Sequence, residues 1–186
     1  MEHDGDVIAE LIADHREVEE YFARFDQAPP GSEERKRLVD ALTIELVRHS
    51  VAQEHYLYPA VRKYLDGGHA LADRELADHG RIEHLLNELQ QRQTPDEDFA
   101  YLVRRLRTEV TAHVDEEEND LYLQMRSNVD AAVLQELGDK IRRSKKTSPI
   151  RPHPAAPDEQ PAGKALAPDL GLVDRVRDYL TGRRHT

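Results

Sequence analysis

Displaced by 64 positions, the amino-acid sequence falls onto itself. Ala13-Asp14-His15 lands on Ala77-Asp78-His79, and Glu19 lands on Glu83. Leu38, Val39, Leu42, Glu45 and His49 land on Leu102, Val103, Leu106, Glu109 and His113. Glu54, Leu57 and Tyr58 land on Glu118, Leu121 and Tyr122. A chain written twice in this way builds the same unit twice, and the repeated positions include four histidines.

The unit is a helical hairpin. Over residues 4–27, Val7, Ile8, Leu11, Ile12, Val18, Phe22 and Phe25 recur at helical spacing. The stretch QAPPGS breaks that helix, and Ser32 with Glu33 and Glu34 behind it makes a good start for the next. Leu38, Leu42, Leu46, Ala52 and Ala60 carry an apolar stripe to about residue 65, with Pro59 expected to kink the helix and Gly67-Gly68 to stop it. A third helix is predicted over 71–92, with Leu71, Leu76, Ile82, Leu86 and Leu89 inward. Thr94-Pro95-Asp96-Glu97 has the form of a capping box opening a fourth, which runs to about 127. A shorter helix over 130–143 follows. Strand signals are almost absent, and the short connections imply an all-α, up-down-up-down four-helix bundle.

The bundle is expected to occupy 1–143, a Pro-rich linker 144–169, and a short amphipathic tail helix 170–186.

The histidines fall at one depth. In an antiparallel hairpin, residues equidistant from the turn sit side by side. The midpoint of His15 and His49 is residue 32, that of His49 and His79 is 64, and that of His79 and His113 is 96. Each lies at a turn, so the four imidazoles share a layer about 22–25 Å from the turns. A lone histidine on an apolar face is ordinarily a hydrogen-bonded core residue. Four together leave several buried nitrogens that want a cation.

Carboxylates one turn further on extend the donor set. Glu117 follows His113, Glu83 follows His79 and Glu19 follows His15, each by four residues; His49 is followed by Gln53, with Glu54 beside it. In the run Asp115-Glu116-Glu117-Glu118 only Glu117 has the inward phase. Glu45 and Glu109 either orient an imidazole or lie in surface ion pairs. Imidazole with carboxylate suits iron, manganese or zinc, and the surplus of acids favours two ions.

Composition removes the main alternatives. The net charge is -11, which repels nucleic acid. There is no cysteine, which excludes disulfides, Fe–S clusters and thiolate zinc. The N-terminus lacks the form of a secretory signal and no segment is apolar enough to span a membrane, so a cytoplasmic protein is expected.

These residues resemble the hemerythrin-like, or HHE cation-binding, domains over about residues 5–127. The resemblance rests on Ala-Asp-His15, on His49-Ser-Val-Ala-Gln-Glu54-His-Tyr-Leu-Tyr-Pro59, on Asp-His79 and on His113-Val-Asp-Glu-Glu117-Glu118. It implies two non-haem iron ions with an oxo or hydroxo bridge, and ligands His15, His49, His79, His113 and Glu117. With the acids added from the sequence, the candidate metal residues are His15, His49, Glu54, His79, Glu83, His113 and Glu117. Two positions depart from the family pattern: Gln53 replaces the usual glutamate, and Glu83 stands where the oxygen carriers have a histidine. The resemblance then points to reaction with dioxygen or hydrogen peroxide, including catalase-like turnover, more than to oxygen carriage. Tyr56, Tyr58 and Tyr122 are candidate hydrogen-bond donors to the ligand. The competing reading is an iron or oxygen sensor or store, acting on a protein partner through the C-terminal tail.

Overall fold

A computed structural model of the chain describes residues 5–147 and 171–182. Helix α1 (Val7–Gln27) begins where Asp6 Oδ1 accepts the Ala9 N–H at 2.9 Å. Helix α2 (Glu33–Ala52) begins at Ser32, whose hydroxyl accepts the Arg35 N–H. A π turn over Gln53–Leu57 joins α2 to α3 (Tyr58–Tyr64) as one rod. Gly67, at φ 69°, reverses the chain into α4 (Gly68–Gln90). Helix α5 (Phe99–Glu116), a second π turn over Glu117–Leu121, and α6 (Tyr122–Asn128) form the fourth rod. Helix α7 (Ala131–Thr147) packs along α1, and α8 (Leu172–Thr181) packs on α2 and α4.

The architecture is the expected four-helix bundle with an extra helix, and the described residues contain no strand. Three local expectations change. The Thr94-Pro95 box does not start the fourth helix, which begins at Phe99. Thr94 is buried and donates its hydroxyl to Gly31 O, tying two loops together, while Asp98 turns to Arg92. Leu76 is 36 % exposed rather than inward. The stripe of α4 runs instead through Ala72, Glu75, His79, Ile82, Leu86 and Leu89, all buried. Helix α7 continues to Thr147, past the expected start of the linker, and Lys145 pairs with Asp14 of α1. The rest of the Pro-rich linker, from 148, lies outside the described residues; α8 falls within the expected tail segment.

The π turns match at the 64-residue displacement. In each, one wide turn takes the N–H of the following tyrosine back five residues, Tyr58 to Gln53 and Tyr122 to Glu117. Pro59 is not the cause of the widening, because Leu123 stands in its place in the second copy.

The core is divided across its length. One apolar cluster, with Phe22, Phe25, Leu42, Leu86 and Leu106, fills the end towards the first and third turns. Another, with Ile8, Leu11, Leu57, Leu121 and Met125, fills the other end. Between them lies a polar layer of His15, His49, Gln53, His79, His113 and Glu117, all buried.

Candidate metal centre

The four rods each deliver one imidazole to this layer. His15 and His49 face each other with ring centroids 4.9 Å apart, and His79 and His113 with theirs 5.0 Å apart. Glu117 reaches in among them. Its Oε2 lies 3.2 Å from His15 Nε2, 3.7 Å from His113 Nε2 and 3.9 Å from His49 Nε2. Gln53, one helical turn past His49, meets Glu117 head-on: the amide Nε2 donates to Glu117 Oε1 at 2.5 Å. The amide oxygen lies 3.0 Å from His79 Nε2. Tyr58 donates to that amide oxygen and Tyr122 donates to Glu117 Oε2.

Every outward-facing Nδ1 meets a carboxylate. His15 meets Glu118 at 2.8 Å, His49 meets Asp14 at 3.3 Å, His79 meets Glu54 at 3.2 Å and His113 meets Glu75 at 3.2 Å. Asp78 stands 3.7 Å from His113 on the same side. The pattern obeys the sequence repeat: Asp14–His49 becomes Asp78–His113, and Glu54–His79 becomes Glu118–His15. A carboxylate on Nδ1 keeps the proton there when the ring is neutral, so that Nε2 is the atom left to bind a cation.

The electrostatics follow from burial. Burial opposes charge on Glu117, yet His113, His15 and His49 outweigh it and hold the carboxyl well below its ordinary range. Burial likewise opposes charge on His113, but Glu117, Asp78 and Glu75 push it up to about 10. His79 is lowered, because burial there exceeds the pull of Glu54. Burial also raises Tyr58 and Tyr122 well above the usual phenol range, with Glu117 adding to it, so both remain hydrogen donors.

The residues fit a cation. His49 Nε2 and His113 Nε2 are buried without a hydrogen-bond partner, and Glu75 has only its ion pair with His113 Nδ1 and a longer one to Arg74 at 3.7 Å. Polar atoms without partners in a dry interior are costly, and a cation bound to these nitrogens would remove that cost. His15, His49 and Glu117 offer atoms within 4.8 Å of one another, and so do Glu75, His113 and Glu117. The two groups share Glu117.

The candidate acids from the sequence divide. Glu117 lies at the centre. Glu54 stands behind His79 and also binds Arg177 of α8. Glu83 pairs with Arg177, and Glu19 with Arg16 at the surface. Glu45 and Glu109 form ion pairs with Arg48 and Arg81. Tyr56 takes no part in the layer.

Glu118, expected on a solvated face, is the Nδ1 partner of His15. Glu75 was not anticipated, although a signal existed: it lies four residues before His79, on the stripe that continues to Ile82 and Leu86. Its mate in the repeat is Leu11, a core residue. The Ala-Asp-His repeat also contained Asp14 and Asp78, whose hydrogen-bonding role needs the neighbouring rod to be visible.

Fold and site together define a cation-binding four-helix bundle with one buried histidine per rod. A family profile described as the hemerythrin HHE cation binding domain matches residues 6–124, and the chain belongs to that family. It is similar to an uncharacterized hemerythrin-like protein of Schizosaccharomyces pombe, 26 % identical over 175 residues, which are 91 % of this chain and 84 % of the relative. It is also similar to the crystal structure of a hemerythrin HHE cation binding domain-containing protein from Mycobacterium kansasii. That match has a TM-score of 0.68 and 26 % identity, covering 76 % of this chain and 86 % of the other.

Proposed function

We propose that this chain is a non-haem di-iron protein that reacts with dioxygen or hydrogen peroxide. The observation that carries the reading is the pair of facing imidazole couples with Glu117 shared between two donor groups. Two ions rather than one follow from the twofold repeat of the donors, and imidazole with carboxylate suits iron, with manganese or zinc as substitutes.

His15, His49 and Glu117 would hold one ion. His113 and Glu117 would hold the other, with the His79 ring facing that of His113 at 5.0 Å and the Gln53 amide oxygen 3.0 Å from His79 Nε2. Glu75 lies behind His113 and adds negative charge on that side. When bound, a pair of irons supplies the one-electron steps that activate, reduce or disproportionate an O–O unit.

The chain itself supplies the surroundings. The histidine layer borders a cavity of ≈ 10 Å³, closed off by Val18, Leu46, Ile82, Val110 and Val114. Space of this size takes a molecule about as large as water, not an organic substrate. Tyr58 and Tyr122, whose hydroxyls lie within 3.5 Å of His79 and His15, donate to the Gln53 amide oxygen and to Glu117 Oε2 and hold those groups in place. The apolar walls exclude bulk water.

The test is direct. Protein purified from iron-supplied cells is expected to carry two irons per chain, to absorb in the near-ultraviolet, and to release oxygen when peroxide is added. Iron-free protein, or iron-loaded protein with no spectral or gas response to peroxide or dioxygen, would overturn the reading. A second reading, a sensor or store that signals through its tail, is favoured by one observation: α8 is seated on the bundle and its Arg177 grips Glu54 behind His79. A partner in the cytoplasm would then read the docked or released helix.

A further inference from the structure

The 64-residue symmetry breaks at one informative place. In the first half, Arg16 sits between two carboxylates. Its Nη2 reaches Glu118 Oε2 at 2.6 Å and Oε1 at 2.8 Å, and its Nη1 reaches Glu19. Glu118 in turn takes His15 Nδ1 at 2.8 Å. The repeat carries His15 to His79, and Glu19 to Glu83, and relates Glu118 to Glu54. It carries Arg16 to Gly80. Both acids of the clamp are kept and the arginine is gone; a Cβ at Gly80 would meet nothing within 4 Å.

The missing guanidinium arrives from the C-terminal helix. Arg177 Nη1 donates to Glu54 Oε2 at 2.8 Å, Nη2 to Glu54 Oε1 at 3.0 Å, and Nε to Glu83 Oε1 at 2.8 Å. A bidentate grip of this kind fixes the plane of the carboxylate as well as its place. Helix α8 is seated by Val173 and Val176, buried in the apolar cluster of α2, α4 and α5. Arg177 is therefore joined to His79 through one residue, Glu54, whose Oε1 is 3.2 Å from His79 Nδ1.

We propose that α8 is part of the metal centre. Arg177 is the positioning residue for His79, replacing from the tail the arginine that the second hairpin lacks. Seating of the helix and retention of a cation at His79 then strengthen each other by the same factor, since such coupling is reciprocal. One half-site is clamped from within the bundle by Arg16; the other is clamped by Arg177 from the C-terminal helix. The inference deepens the di-iron reading and rests on it for its metal.

The test uses the full-length chain and three variants: Arg177→Ala, Arg177→Lys, and Arg177→Ala combined with Gly80→Arg. Metal-loaded proteins are challenged with a chelator, and the apoproteins are examined by ¹⁵N NMR of the imidazoles, with thermal unfolding confirming that each is folded. Arg177→Ala is expected to release metal about tenfold faster from one half of the site, the lower end of what loss of a ligand's supporting partner costs. It should also lose the fixed Nδ1–H form of His79. Arg177→Lys recovers little, because a point charge cannot hold the carboxylate plane. The double variant recovers both readouts, because Gly80→Arg supplies the guanidinium as Arg16 does. Unchanged release and an unchanged His79 spectrum in Arg177→Ala would overturn the proposal. So would failure of Gly80→Arg to recover them, since the effect would then belong to helix loss in general. Should wild-type protein hold no metal, the di-iron reading falls, and the His79 spectrum of the apoproteins still decides whether Arg177 acts through Glu54.

Discussion

Gln53 and Glu117 occupy equivalent positions in the two halves of the chain and meet at the centre of the bundle, amide nitrogen to carboxylate oxygen, at 2.5 Å. A glutamate at both positions would place two carboxylates in contact with no water between them. The amide removes that repulsion, and under the di-iron proposal it would leave Glu117 as the one carboxylate where the resemblance implies two. On the di-iron proposal, the metal-free bundle is expected to be the more stable for it and its hold on cations the weaker.

Gln53→Glu is expected to shift this balance in both directions. Without metal the variant should be less stable by about 3–5 kcal/mol, the cost of a buried charge facing its like. With iron it should be loaded more fully and show a larger rise in melting temperature than wild type. Calorimetry of apo and loaded protein beside metal analysis measures both, and equal loading of the two proteins would place position 53 outside the ligand set.

Glu75→Leu replaces the buried acid behind His113 with the residue its repeat mate already has at position 11. The apoprotein is expected to be less stable near neutral pH, because the protonated His113 loses one of the carboxylates that hold its charge. Metal retention should fall by about tenfold, as His113 loses the partner at its Nδ1. Chelator competition reads the second effect; retention at the wild-type level would leave Glu75 with no role at the site.

Metal uptake should release protons. His113 is held at about 10 by Glu117, Asp78 and Glu75 against the opposing effect of burial, so it is protonated near neutral pH in the apoprotein. Its Nε2 must lose that proton to bind a cation, and apparent affinity should rise by about tenfold per pH unit for each proton displaced. The apoprotein behaves oppositely. A folded value above the ordinary 6.5 stabilises the fold fully below 6.5, and that contribution disappears as pH rises through about 10. Metal titrations and unfolding across pH test the two signs together; flat affinity between about pH 6 and pH 8 would contradict them.

Tyr122→Phe removes the hydroxyl that donates to Glu117 Oε2 at 2.9 Å and accepts from Gln53. Leaving a buried carboxylate one donor short is expected to cost about 1–3 kcal/mol in the apoprotein. Bound metal should recover most of the loss, since a cation satisfies the same oxygen. A melting-temperature deficit equal in apo and loaded protein would place the hydroxyl outside the ligand's reach.

The hairpin repeat, the four rods and the common depth of the histidines were all legible in the chain. Periodicity and spacing are local quantities: a stripe at helical spacing and equal arms about a turn place His15, His49, His79 and His113 before any packing is known. Glu117 was legible for the same reason, one turn beyond His113. What only the folded bundle decided is which acid serves which imidazole. Glu118 and Glu54 meet histidines on rods remote in sequence, and the two π turns shift the phase of every side chain beyond positions 53 and 117, which regular helical arithmetic does not register. Glu75 enters the core only because α4 rotates Leu76 outward. Arg177 reaches Glu54 across 123 positions of chain, a meeting that depends on where α8 settles on the bundle and leaves no trace in local spacing.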